Sequence, residues 1–191
     1  PEGISFASGA GLAHVGVTAW MALVDHGRLE PAMTCLIHGG SGGVGHVAVQ
    51  LAATIGATVV STAGSEDARR RTRQFGADVA LDYDRDDLTA AIRDFVASGV
   101  DVTVDHRVGE HLERDIDVAA SGGRIIVLNG DLPSIPNTPK LLGAALTIQG
   151  MSTVDMSNTR SILSRFARLL EAGDIDVAVA DTYDLADVAD A

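Results

Sequence analysis

The chain has 191 residues, 46% of them hydrophobic, and carries 26 acidic against 14 basic side chains, for a formal net charge of −12. This is the composition of a globular domain with a sizeable core, and its negative charge argues against a nucleic-acid partner because phosphate backbones would be repelled. The apolar runs are shorter than the roughly 18 residues that cross a membrane, and the single cysteine, Cys35, forms neither an internal disulfide nor a multi-cysteine zinc site. We expect a cytoplasmic protein without a membrane or nucleic-acid partner.

Two interpretations of the charge remain open. Aspartate supplies 20 of the acidic residues, and Lys140 is the only lysine. The composition is compatible with an ordinary acidic protein from a GC-rich genome. It is also compatible with a halophilic protein, whose self-repelling surface is screened by salt, and the scarcity of lysine favours this second interpretation.

The segment before Thr34 predicts two helices, at about 5–13 and 17–25. Apolar runs then alternate with segments of helical period. The expected strands cover 34–38, 58–62, 79–81, 102–104, 124–128 and 146–149. The expected helices cover about 44–55, 66–75, 87–97, 110–120 and 159–170. A last strand is expected from 177–179, and a helical pattern covers 184–191.

Strands and helices that alternate in this way predict an α/β domain with a six-stranded parallel sheet and helices on both faces. Right-handed crossovers give the Rossmann-type doubly wound order 3-2-1-4-5-6. We expect one dinucleotide-binding domain over 1–191, with a helical lead-in at 1–30, a core at 34–175 and a final segment at 176–191. The absence of an initial Met and the helical pattern at the end predict a fragment of a longer protein.

The motif Gly40-Ser41-Gly42-Gly43-Val44-Gly45 matches G-x-G-x-x-G between an apolar strand and a helix. In this context Gly40 permits a tight turn, Gly42 lets backbone amides approach a pyrophosphate, and Gly45 allows close packing of the helix. The helix N-terminus adds unpaired N–H groups and the positive end of its dipole. The motif predicts a dinucleotide site.

The end of the second strand bears on the choice of cofactor. Sites for NAD place an acidic residue there to bind the ribose 2′-hydroxyl, but this chain has Ser61-Thr62-Ala63-Gly64-Ser65. The absence of an acid permits a 2′-phosphate, and Arg69, in the following helix, has a guanidinium that can bind a phosphate. We expect NADPH rather than NADH, although the arginines that begin at Arg69 also suit an exposed helix face.

Several segments in order resemble the cofactor domain of the medium-chain dehydrogenase/reductase superfamily, and within it the zinc-free quinone oxidoreductase branch. They are Gly16–Trp20, Leu36–Gly45, Gly76–Asp78, Asp82–Tyr83, Asp105–Gly109 and Ser121–Arg124. The resemblance covers essentially the whole chain. It implies an NADPH-dependent oxidoreductase that transfers hydride to a quinone or another activated conjugated carbonyl, with an N-terminal substrate domain that this chain lacks.

The resemblance also implies roles for individual residues. Thr18 would face the nicotinamide, and Tyr83 would lie near the adenosine. Gly42, Gly43 and Val44 would hold the pyrophosphate. The side chains of Ser61, Thr62 and Ser65 would line the phosphorylated ribose. The loop that contains His106 and Val108 would flank the nicotinamide ribose together with Asn129.

The chain departs from the family pattern at three places. Ala68 stands where the family has a lysine for the 2′-phosphate, so Arg69 must replace it. His106 and Arg107 replace small or neutral residues. His14 lies where zinc-dependent relatives have a cysteine ligand, but a histidine at a helix end is the more economical interpretation, and we expect no zinc.

No Ser-His-Asp constellation or P-loop is present in the sequence. His106 is the best-placed titratable candidate for catalysis, although quinone reduction can take its protons from solvent. The alternatives are a zinc-dependent alcohol or polyol dehydrogenase of the same superfamily and a non-catalytic nucleotide-sensing module. The sixth strand is an expected sheet edge, and related enzymes pair along it, so we expect a homodimer.

Overall fold

The computed structural model describes residues 4–131, 134–152, 158–184 and 186–187. The helices are α1 (Phe6–Trp20), α2 (Gly43–Ile55), α3 (Glu66–Gln74), α4 (Leu88–Phe95), α5 (Val108–Val118), α6 (Thr138–Gly143) and α7 (Thr159–Ala172). The strands are β1 (Thr34–Ile37), β2 (Thr58–Ala63), β3 (Val79–Asp82), β4 (Val100–Asp105), β5 (Ala119–Val127) and β6 (Thr147–Gly150).

All six strands join one parallel sheet in the order β3-β2-β1-β4-β5-β6, which confirms the predicted Rossmann-type topology. Every residue of β1 is buried, as a strand covered on both faces requires. Consecutive crossovers run outward from β1 on one side and from β4 on the other. The order therefore reverses between these two strands, and a crevice opens at their carboxyl ends.

The N-terminal segment differs from the two predicted helices. α1 continues without a break into a π-helical turn, Met21–His26. The separation was expected near Gly16, but this glycine is buried inside α1, and a Cβ there would lie 3.4 Å from the Phe166 ring of α7. Gly16 therefore allows close helix packing rather than ending a helix.

The continuous helix Phe6–His26 is long and apolar enough to cross a membrane by length and composition alone. The sequence had suggested that no apolar segment reaches this length. Val17, Ala19, Ala22 and Leu23 have no exposed surface, however, and pack in the main hydrophobic core. In this fold the helix is a core element.

The strand predicted from 177–179 is absent among the described residues of this segment. Side chains of α2 bind the backbone of this segment instead: the His46 ring accepts from the Ala178 N–H at 3.3 Å, and Gln50 pairs with Asp176, the residue just before the predicted strand. Gln50 Nε2 donates to the Asp176 carbonyl, and the Asp176 N–H donates to Gln50 Oε1, both at 2.8 Å. The sequence also predicted a helical pattern over 184–191, of which residues 185 and 188–191 lie outside the described residues.

The proline-containing loop before β6 also holds α6, which the sequence analysis missed. Asn137 caps this helix by accepting from the Lys140 N–H, and Pro139 lies in its first turn, a favourable position for proline. Pro133 of the same loop lies outside the described residues.

Candidate cofactor-binding cleft

A cleft of about 450 Å³ lies at the carboxyl ends of β1, β4 and β5, where the strand order reverses. α1 forms one wall, and the glycine loop with the start of α2 forms the floor. Its lining residues include His14, Thr18, Gly42, Gly43, Val44, Gly45, His106 and Leu128. The cleft therefore brings together Thr18, the glycine loop and His106, which the sequence analysis had assigned to the cofactor site from three separate segments of the chain.

The glycine loop turns at a residue one position before the motif. Gly39 has φ +71°, in the left-handed region, whereas Gly40 does not. Gly40 is instead required by close packing, because a Cβ there would overlap the Ser61 hydroxyl and lie 2.7 Å from Thr72 Cγ2. A Cβ at Gly45 would overlap the Gly39 backbone, so this glycine allows α2 to start directly against the loop. The tight turn assigned to Gly40 thus belongs to Gly39.

The N-terminus of α2 is open toward the cleft. Gly42 is its N-cap in an extended conformation, is exposed, and provides no side-chain cap. A Cβ at Gly43 would meet only Val15, at 3.6 Å, and the half-buried Ser41 lies beside it on the loop. The first N–H groups of a helix have no intrahelical partner, so this end of α2 offers donors and a positive dipole to an anion.

Ser61 and Thr62 lie elsewhere than the resemblance implied. Their side chains are buried, at 0% and 1% exposure. The Ser61 hydroxyl donates to the Ile37 carbonyl at 2.7 Å, and Thr62 Oγ1 accepts from the Gly39 N–H at 3.2 Å. Both hydroxyls hold the glycine loop against the sheet, and neither is accessible to a bound ribose phosphate in this arrangement.

The adenosine end of the site contains an acidic side chain that the sequence analysis did not assign. Ser65 caps α3 by accepting from a backbone N–H. Arg69, in the first turn of α3, forms ion pairs with Glu66 and with Asp82. The parallel pairing of β2 with β3 places Asp82 opposite Ala63. The carboxylate missing from the end of β2 is therefore supplied from β3.

Tyr83 follows Asp82 and is half-exposed. Its ring covers Gly64, where a Cβ would overlap the phenol. An aromatic face therefore stands beside the end of β2.

At the nicotinamide side, Thr18 is nearly buried and donates its hydroxyl to the His14 carbonyl at 2.9 Å. His106 is exposed at the rim, and its ring lies over Gly39, with Cε1 2.9 Å from where a Cβ of that residue would be. Val108 is fully buried, so only its backbone, which donates to the Asn129 carbonyl, can shape the site. Asn129 is exposed.

Beneath the cleft lies a buried cluster that the sequence analysis missed, which we call the histidine–aspartate quartet: His38, Asp105, His111 and Asp115. His38 Nε2 lies 2.8 Å from Asp115 Oδ1, and His111 Nδ1 lies 2.9 Å from Asp105 Oδ1. The two imidazole rings stack with centroids 4.2 Å apart. The available signal was the pair His111 and Asp115, one helical turn apart on the face of α5 that carries Leu112 and Ile116.

The quartet has the geometry of two hydrogen-bonded pairs. His38, Asp105 and His111 place polar atoms within 4.8 Å of one another, the spacing of a metal site. Stacked imidazoles, however, direct their ring nitrogens side by side rather than toward one point, and each ring already has a carboxylate partner. Among the residues that the structure describes, His14 belongs to no such group.

An open helix N-terminus at the switch point of a doubly wound sheet defines a Rossmann-type nucleotide-binding domain. A family model described as "Zinc-binding dehydrogenase" matches residues 43–172. The chain therefore belongs to that family of the medium-chain dehydrogenase/reductase superfamily, as a quinone oxidoreductase-like cofactor-binding domain.

Three known proteins illustrate the relationship. The quinone oxidoreductase of Mus musculus is 32% identical over 176 residues, which cover 91% of this chain and 53% of the relative. A solved NAD-dependent alcohol dehydrogenase has 31% identity and a TM-score of 0.82 over 92% of this chain and 51% of its own. A mycobacterial protein solved with NADPH has 22% identity and a TM-score of 0.86 over 94% of this chain and 57% of its own, and shows the shared fold. The chain thus spans about half the length of these proteins.

Proposed function

We propose that this chain is the cofactor-binding part of an NADPH-dependent oxidoreductase that reduces a quinone or another activated conjugated carbonyl. The observation that carries the proposal is the start of α2, where the lack of side chains on Gly42 and Gly43 leaves the first N–H groups of the helix open to the cleft, while the Gly42 N–H itself donates to the Gly39 carbonyl. The similarity to a quinone oxidoreductase supports the substrate class. The catalytic activity belongs to the longer protein, since the chain matches only half of such relatives.

The cleft fits a nicotinamide dinucleotide on chemical grounds. The pyrophosphate would be held by the N-terminus of α2, the nicotinamide end by the region around Thr18 and His106, and the adenosine end by the region around Tyr83 and Arg69. Hydride transfer is the chemistry that the cofactor supplies. The residues of this chain would bind and orient it, with α1 and Leu128 lining the cleft.

His106 is a poor proton donor at neutral pH. Although part of His106 is exposed at the rim, the protein around its ring removes water and lowers the pKa of the imidazole, and the nearby Asp105 carboxylate opposes this effect without cancelling it. A lowered pKa favours the neutral imidazole, which still has one N–H donor and one acceptor nitrogen but lacks the proton that a general acid would give up. We therefore propose that solvent protonates the reduced substrate. His106 would contact the cofactor without acting as the proton donor.

The test is direct titration of the chain with NADPH, followed by the Gly42→Val variant. The dihedral angles of Gly42, φ −80° and ψ 179°, are ones that valine adopts. A Cβ there would lie 3.2 Å from the Gly39 carbonyl oxygen, so the loop must give by a few tenths of an ångström, and the side chain would occupy the approach to the N–H groups. We expect binding to be lost while the fold survives thermal unfolding tests. Gly9→Val is the control, because a Cβ there meets nothing within 4 Å. Undiminished affinity of Gly42→Val would refute the assignment.

A second candidate is an alcohol dehydrogenase that uses NADH. The similarity to a solved NAD-dependent alcohol dehydrogenase favours it, as does Asp82, an acid able to bind a ribose 2′-hydroxyl. Comparison of NADH and NADPH affinities, with zinc analysis of the longer protein, separates the two candidates: a clear preference for NADH together with bound zinc would replace our proposal.

We further propose a homodimer formed along β6. This strand is an edge of the sheet, and Leu142 of the adjacent α6 is 77% exposed. An apolar side chain next to an unpaired edge favours pairing with a second copy. Light scattering at micromolar concentration should give a dimer mass, and Leu142→Arg should shift it toward a monomer; a strict monomer in the parent chain would refute the proposal.

A further inference from the structure

His38 connects the glycine loop to the interior of the protein. Its Nε2 faces Asp115 at 2.8 Å, and its Nδ1 lies 3.3 Å from Thr62 Oγ1. The same hydroxyl accepts the N–H of Gly39, the left-handed residue that begins the loop. The side chain of His38 is buried, yet it lies against the floor of the cleft. A chain of hydrogen bonds thus runs from Asp115 through His38 and Thr62 to the loop.

The charges around His38 favour its cationic form. Burial by itself would disfavour a charge, but the Asp115 carboxylate 2.8 Å away, supported by Asp105, outweighs it and raises the pKa of His38. Burial also raises the pKa of Asp115, but the charge of His38 and its hydrogen bond oppose that effect, so the close contact supports an ion pair. Arg114 opposes the cation, and His111 stacks on the ring. The titratable and charged groups that face His38 are Asp115, His111 and Arg114 from α5 and Asp105 and His106 from the end of β4 and its loop.

The hydroxyl of Thr62 senses the protonation state of His38. When the ring is neutral with its proton on Nε2, Nδ1 accepts a hydrogen bond from the Thr62 hydroxyl. When the ring is charged, Nδ1 donates to Thr62 Oγ1, which already accepts from Gly39. The hydrogen bond that anchors the loop therefore differs between the two states.

We propose that His38 is a buried cation beneath the glycine loop that strengthens binding of the cofactor's pyrophosphate, so that binding is linked to a proton. The proposal rests on the proposed cofactor site. A positive charge behind the start of α2 adds to the helix dipole at the place where a doubly negative group binds. The interaction passes through protein rather than water, so it is weakly screened.

The sign of the pH dependence follows from this arrangement. The cation is present below the pKa of His38 and is lost as the pH rises through it, so affinity should fall at alkaline pH. Asp115→Asn removes the carboxylate that stabilises the cation, so the fall should occur at a lower pH. His38→Gln cannot carry the charge, so its affinity should be low and independent of pH.

The experiment is the dissociation constant of NADPH measured by nicotinamide fluorescence from pH 7 to 10 at fixed ionic strength, above the range in which a phosphate monoester titrates. For the parent chain we expect affinity to weaken about tenfold across this range, the effect of one pKa unit of coupling. The matched control is Asp117→Asn, an acid on the same helix that pairs with Asn137 at the surface and should leave the profile unchanged.

A second measurement does not need the cofactor. Nitrogen-15 NMR of the histidine rings in the cofactor-free chain reports the charge of His38 directly, and we expect an imidazolium at pH 7. A neutral His38, or a flat affinity profile in a chain that binds NADPH, would overturn this inference and leave the cofactor site intact. A cationic His38 without binding at any pH would instead refute the cofactor site.

If His38→Gln proves unstable in thermal unfolding, the pH profile of Asp115→Asn and the NMR measurement still test whether His38 is a cation linked to binding. An unchanged midpoint of the pH profile in Asp115→Asn would count against the role of the pair.

Discussion

Arg69 and Asp82 form an ion pair that joins the first turn of α3 to the end of β3, with 2.5 Å between Arg69 Nη1 and Asp82 Oδ2. The Asp84 backbone N–H and the Arg69 guanidinium lower the pKa of Asp82, so its carboxylate is charged at neutral pH. A 2′-phosphate that approached Arg69 would therefore also approach a negative charge. We therefore expect Asp82 to influence the choice between NADPH and NADH.

The first prediction concerns this choice. Asp82→Asn should raise the affinity for NADPH relative to NADH by about threefold to tenfold. The substitution removes the repulsion between the carboxylate and the 2′-phosphate, and it frees the Arg69 guanidinium to bind that phosphate. Arg69→Gln should shift the ratio in the opposite direction. Fluorescence titration with both cofactors measures it, and Asp67→Asn, which breaks only the exposed pair with Arg70, is the control. Equal changes for both cofactors in Asp82→Asn would remove Asp82 from this role.

The second prediction separates two glycines of the motif. Gly40→Ala should destabilise the fold by about 1–3 kcal/mol, because the added methyl overlaps the Ser61 hydroxyl and crowds Thr72. Gly43→Ala, in open space near Val15, should be nearly neutral for folding. Urea unfolding of the two variants measures the difference.

Ser61→Ala in the Gly40→Ala background should recover part of the loss, because it removes the overlapping oxygen. Equal stability of the two single variants would show that the loop relaxes around Gly40 and that the close approach is not required.

The motif illustrates how far the sequence determines the site. The glycine spacing and the apolar runs were sufficient to predict the loop, the sheet order and the position of α2, because these depend on local pattern and chain direction. Contacts between β1, β2 and α3 determine which glycine adopts the turn conformation and which hydroxyls are buried. These contacts cannot be predicted from the local sequence pattern. Ser61 and Thr62 are for this reason loop supports rather than ligand contacts.

The same limit explains the quartet. His38 and Asp115 are 77 residues apart, and their contact follows only from the packing of α5 beside the end of β1. Asp82 is a further case, since the end of β2 carries no acid of its own but the neighbouring strand β3 places one beside it. The neighbours of each of these residues are therefore set by contacts between segments that are far apart in the sequence.

The third prediction concerns the surface. The net charge of −12 should make stability depend on salt, because screening relieves repulsion among exposed acids. An increase in KCl from about 0.1 M to about 2 M should raise Tm by several degrees. A variant with four exposed aspartates replaced by asparagine should respond less; suitable positions are Asp131, Asp174, Asp181 and Asp184. A salt response of equal size in both proteins would argue against charge repulsion as its cause.

The fourth prediction follows from Asp105, whose pKa is lowered. Burial alone would raise the pKa, but the hydrogen bond from His111, the charge of His38 and the Arg107 N–H reverse the direction. A lowered pKa in the folded state stabilises the fold above the ordinary aspartate range, and this contribution is lost as the pH falls through the folded value. Asp105→Asn should therefore cost about 1.5–3 kcal/mol at pH 7, typical of a charged hydrogen bond.

Urea unfolding from pH 7 to pH 3 measures the difference between Asp105→Asn and the parent chain. The difference should shrink as the pH falls, because the parent loses the same charge. Asp117→Asn, an exposed acid of α5, should show a small difference at every pH. A cost of Asp105→Asn that stays constant down to pH 3 would mean that the Asp105 charge does not stabilise the fold and that its packing alone is responsible.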